Sequence, residues 1–136
     1  MPTPRRTSLS LGIMALAVST TATVVHASPA AASSSAVRGN QAIAAPMVSA
    51  RGWGGAHFDC LRRLWTRESN WNHRAQNRSS GAYGIPQALP GGKMASAGRD
   101  WRTNPRTQIR WGLGYIKQRY GSPCGAWAHF RSRGWY

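Results

Sequence analysis

The sequence predicts a small, mainly α-helical domain with a loop-rich or short β-hairpin insert and one disulfide. Three observations carry this expectation. Apolar residues recur at helical spacing in two stretches, 57–69 and 105–120. Between them, glycines at 81, 84, 91 and 92 and prolines at 86 and 90 leave no room for a long regular element. Cys60 and Cys124 are the only cysteines, one on each side of that insert.

The chain has 136 residues, enough for one domain after processing. Its start reads as an export signal over residues 1–27. Arg5 and Arg6 form the basic region, Leu9 to Val25 the apolar run, and Val25-His26-Ala27 the small residues before a cleavage site. A membrane anchor is the rival reading, but Ser and Thr interrupt the run and its length is marginal for a span. No stable membrane insertion is therefore expected after cleavage. The Arg pair is compatible with either twin-arginine or general export. Residues 28–51 are small and polar with scattered Pro, and read as an Ala/Ser-rich linker that buries too little apolar surface to order itself. All seven Trp and both Cys lie beyond it, which places the folded domain at residues 52–136. That is small for a single core.

In an exported chain the two cysteines meet an oxidising environment. A Cys60–Cys124 bridge would contribute about 4 kcal/mol in the loop-entropy model; the alternative is two buried thiols. No metal is expected, because no C-x-x-C pair is present and the histidines have no ligand spacing. No cofactor is implied. The net charge of +15 (+13 without Arg5 and Arg6) attracts polyanions. Export removes the chain from nucleic acid, so the expected partners are anionic cell-wall polymers, with plain solubility as the alternative role of the charge.

The first helix is expected over about 57–69. Phe58, Leu61, Leu64 and Trp65 share an arc of about 120°. Glu68, the only glutamate of the chain, falls in the same arc, while Asp59, Arg62, Arg63, Thr66 and Arg67 face the other way. An inward-facing carboxyl at a helix C-terminus is disfavoured as an anion by burial and by the helix dipole. A raised pKa, suited to a general acid, is expected. The competing role is a structural Glu bound to a buried Arg or to backbone amides. Asn70, Asn72, Asn77 and Ser79-Ser80-Gly81 predict a loop, and 93–97 a brief helix. The strongest helix has a cap at Thr103 or Asn104, Pro105 in its first turn and Gly121 at its end. Gly112 and Gly114 inside it predict close packing against a neighbour. A short helix around 126–131 follows Cys124.

The string ESNWNHRAQNRSSGAYGIPQALP, from Glu68, resembles the soluble lytic transglycosylase family, whose domain has the goose-type lysozyme-like fold. The matching positions are Glu68, Ser69, Asn72, Ala75, Gly81, Ala82, Gly84, Ile85, Gln87 and Pro90, and the likeness continues through Gln108-Ile109, Gly112 and Tyr115-Ile116. The Trp-rich version with flanking cysteines resembles small secreted actinobacterial members. His73 and Pro86 depart from the pattern, and GAWAHF stands where the family has a closing Ala-x-Tyr-Asn, whose Tyr helps orient the catalytic Glu. Tyr115 and Trp127 are the candidates for that task.

The resemblance implies cleavage of the β-1,4 bond between N-acetylmuramic acid and N-acetylglucosamine in peptidoglycan by a secreted or wall-associated enzyme, here expected to be a monomer. Glu68 would be the catalytic acid, and the product a 1,6-anhydro sugar. Ser69, Gln87, Tyr83, Tyr115 and Trp127 are the candidate substrate contacts. Trp65 is expected in the core, while Trp53, Trp71, Trp111 and Trp135 divide between packing and sugar stacking. Two-carboxyl hydrolysis needs a partner for Glu68; Asp59 faces away, and Asp100 reads as a turn residue. The alternatives are a muramidase of resuscitation-promoting-factor type and a non-catalytic wall-binding or aggregation-promoting protein. A serine hydrolase triad is set aside for lack of a G-x-S-x-G elbow.

Overall fold

The computed structural model describes residues 29–136; the expected signal segment 1–27 lies outside them. Four α-helices follow one another: α1 (Pro29–Ala50), α2 (Gly55–Ser69), α3 (Pro105–Tyr120) and α4 (Pro123–Arg133). A short 3₁₀ helix, Gly91–Ser96, closes the insert between α2 and α3. No helix among the described residues is long and apolar enough to cross a membrane.

The first helix corrects the linker expected at 28–51. Alanine is the best helix former, and four-residue spacing lines up Asn40, Ala44 and Val48, all buried. Val37, Ile43 and Met47 pack partly against the same core. The Asn40 amide donates to the Trp71 carbonyl (2.9 Å), which ties α1 to the segment just after α2. Pro46 sits inside the helix, and a proline there costs about 3 kcal/mol. Order in α1 therefore comes from tertiary packing. Composition alone missed it because small side chains bury little one at a time.

Helix α2 places its apolar stripe as expected: Leu61, Leu64 and Trp65 are fully buried and Phe58 half-buried. It ends on two consecutive left-handed residues, Asn70 (φ 51°) and Trp71 (φ 57°). This reversal tucks Trp71 under the helix, where its indole donates to the Arg62 carbonyl (3.2 Å) and meets Trp65 edge-on. In the insert, Gln76 pairs with Tyr83 and Tyr83 with Ala88 in isolated antiparallel bridges, a rudimentary hairpin without full strands.

The caps of α3 form as read. The Asn104 side chain accepts from the Arg106 N–H, Pro105 is in the first turn, and Gly121 (φ 76°) ends the helix. Ile109, Leu113 and Ile116 enter the core. Gly112 is required, since a Cβ there would stand 2.6 Å from Trp65. Gly114 is not: an added Cβ would meet nothing within 4 Å, contrary to the close packing expected. Gln108 is fully buried, and its amide binds three segments at once. Its Oε1 accepts from Ile85 N–H (2.9 Å), while Nε2 donates to the carbonyls of His73 (2.9 Å) and Trp101 (2.7 Å). Helix α4 begins with the Ser122 cap, longer than the 126–131 expected. Cys60 and Cys124 form the disulfide, across a sequence separation of 64, and fasten the start of α4 to α2.

Candidate active site

Glu68 is the penultimate residue of α2 and half-buried on the face that carries Leu61, Leu64 and Trp65. It lines a groove of about 590 Å³ with Asn77, Ser80, Gln87, Leu89, Phe130, Trp135 and Tyr136 among its walls. The insert supplies one side of the groove and the end of α4 with the segment after it the other. Burial pushes the Glu68 carboxyl from 4.5 up to about 7, because the anion loses water and gains no compensating charge. Arg67 lines the same groove without pairing; Arg62–Asp59 (3.1 Å) is the ion pair formed among the described residues.

The other two carboxylates stay outside this groove. Asp59 holds Arg62 on the exposed face of α2. Asp100 accepts from Asn104 (2.8 Å) and Thr107 (2.7 Å) at the start of α3, bonds that hold its pKa below the usual value. With three acidic residues in the whole sequence, Glu68 is the one side-chain carboxyl the groove contains.

The residue beside Glu68 that sequence reasoning missed is Tyr136. Its hydroxyl accepts from the Trp65 indole N–H (2.8 Å) and donates to the Pro86 carbonyl (2.8 Å), joining α2 to the insert at the groove wall. Burial and the neighbouring Glu68 charge push the phenol well above its ordinary value, so it stays protonated. The available signal was the Gly134 stop (φ 78°), after which the chain leaves α4 with two aromatic residues.

The predicted substrate contacts scatter. Gln87, in a left-handed conformation (φ 55°), does line the groove, but its amide N–H₂ donates to Gly84 (2.9 Å) and Ala75 (3.2 Å) carbonyls and shapes the insert. Ser69 turns away, its hydroxyl donating to the Ile85 carbonyl (2.7 Å). Tyr83 is drawn off by the Arg102 carbonyl (2.7 Å) and packs edge-on against Trp101. Tyr115 stacks on Trp111 and meets Tyr136 edge-on, next to the groove rather than in it. Trp127 lies in a separate groove on the far side of α2, with Gln41, Arg62 and Arg63. It stacks on Phe130, and Phe130 is the α4 aromatic that reaches Glu68's groove. Of the undecided tryptophans, Trp71 is core, Trp53 half-buried against it, Trp111 half-buried, and Trp135 exposed at the groove. Among the described residues no three His, Cys, Asp or Glu side chains come together as metal ligands.

Residues 55–130 match the family model described as the transglycosylase SLT domain, and that span includes Glu68, the insert and α3. No curated protein and no solved structure gives a significant match.

Proposed function

The chain belongs to the transglycosylase SLT domain family, a family of peptidoglycan-cleaving enzymes, and we propose that it is a lytic transglycosylase in which Glu68 is both acid and base. The observation that supports this most is a single groove carboxyl raised to about 7, and hence protonated in a large fraction near neutral pH. In the first step Glu68 donates its proton to the bridging oxygen as the C1–O4 bond breaks. The muramoyl N-acetyl group stabilises C1. In the second step the Glu68 carboxylate takes the proton of the C6 hydroxyl as O6 bonds to C1, which regenerates the acid and leaves a 1,6-anhydro end. Water is not consumed.

Ordinary hydrolysis uses two carboxyl groups flanking the bond, about 5–10 Å apart. Asp59 and Asp100 stand on other faces and are engaged there, which favours the one-carboxyl route. The high positive charge fits retention on anionic wall polymers, in line with the export signal expected at residues 1–27. Mass spectrometry of digested peptidoglycan tests the proposal. Anhydro-muramoyl ends from the wild type, and none from Glu68→Gln, are expected. Reducing ends instead would make the protein a hydrolase; binding of wall with no released fragment would make it a non-catalytic wall protein.

A further inference from the structure

The groove at Glu68 continues along the molecule. Gln87, Leu89 and Tyr136 line both it and a narrow neck of about 80 Å³, whose far wall is Trp111 and Tyr115. Those two aromatics also bound a wider trough of about 630 Å³ that runs along α3 past Gly114. The three spaces thus share lining residues in succession, which sets the trough one narrow neck away from Glu68.

Two independent features say what the trough takes. The first is its floor. A glycine inside a helix is destabilising, and Gly114 has no packing reason, in contrast to Gly112 two residues before it. What the missing side chain preserves is open space. The second is charge. Arg110 and Lys117 line the trough and Lys93 the neck, with no acidic side chain in either. Arg110 is steadied at the rim by donating to the Ala97 carbonyl (3.0 Å). A cationic trough with an aromatic wall suits a short peptide that carries carboxylates and aliphatic side chains. In stem-bearing strands the muramoyl lactyl carboxyl is held in the amide to the stem, so the free carboxylates lie on the stem peptides, which branch from the muramoyl unit. We infer that the α3 trough holds the acidic stem peptide of a strand whose scissile bond lies at Glu68, an inference that rests on the function proposed above.

The test compares two substrates, stem-bearing peptidoglycan strands and the same strands stripped of peptides by an amidase. Lys117→Glu reverses a trough charge, and Gly114→Trp fills the floor at a position where the added side chain starts in open space. Both are expected to lower kcat/KM on stem-bearing strands by about tenfold, through KM, a change of about 1.4 kcal/mol in binding. Both should leave stripped strands within about twofold. Arg38→Glu, an exposed charge on α1, carries the same change in net charge and should not separate the substrates. Equal losses on the two substrates, or no loss on either, overturn the inference. Co-sedimentation of the Glu68→Gln protein reads the trough without catalysis. A preference for stem-bearing strands that Lys117→Glu abolishes supports it, and indifference to the stem overturns it whether or not the wild type proves to be a lyase.

Discussion

Replacing Glu68 by Gln should stabilise the protein at alkaline pH and leave it nearly unchanged in acid. The folded chain holds this carboxyl at about 7 against an ordinary 4.5, a difference of about 2.5 pH units, or about 3.4 kcal/mol at full strength. Solvent at the groove mouth screens the effect, so about 2 kcal/mol is expected. Below pH 4.5 both folded and unfolded states carry the proton and no penalty arises. Between 4.5 and 7 the unfolded chain ionises freely while the folded one resists, so the wild type loses stability as pH rises. Above about 7 the whole penalty is present. Gln cannot ionise, and other titrating groups are common to both proteins. Thermal unfolding from pH 4 to 8.5 should therefore show the gap in Tm opening to about 10 °C for a domain of this size. A gap that does not change with pH would refute the desolvated acid. So would a wild type that gains stability relative to Glu68→Gln as pH rises, as a carboxylate paired to Arg67 would.

Activity on peptidoglycan should fall as pH rises through about 7 if, as proposed, the first step uses protonated Glu68; a pH–rate profile checks this. Tyr136→Phe removes the hydroxyl between Trp65 and Pro86 and should cost about 1–3 kcal/mol in urea unfolding, with both former partners left unsatisfied. Gly112→Ala and Gly114→Ala should move stability in opposite directions: the first loses about 1–3 kcal/mol by forcing Trp65 aside, while the second gains up to about 1 kcal/mol of helix propensity. Ala44→Glu would bury a charge under α1 and should free that helix, seen as new protease cleavage within 29–50 while α2–α4 stay resistant.

Much of this arrangement was legible because it is local. Asn104, Pro105 and Gly121 announce α3 by backbone needs that neighbours supply, and the arc of α2 carries Glu68 inward by helical phase alone. What depends on distant contacts was not. Tyr136 reaches Trp65 across most of the domain, so no spacing relates them. Tyr83 and Trp127 have the chemistry of sugar-stacking residues, but a single backbone carbonyl and the phase of α4 decide where they point. Helix α1 was hidden for a different reason, since its order is conferred by the surface it lies on.

The amide of Gln108 has a mechanical consequence. The insert lacks a continuous ladder, so much of its shape is borrowed from one buried side chain that grips it at His73 and Ile85 and steadies the approach to α3 at Trp101. That wall of the cleft should travel with α3 as one rigid piece. Adjustment to a thick, cross-linked polymer then falls to the opposite bank, where Trp135 stands in solvent beyond the last helix.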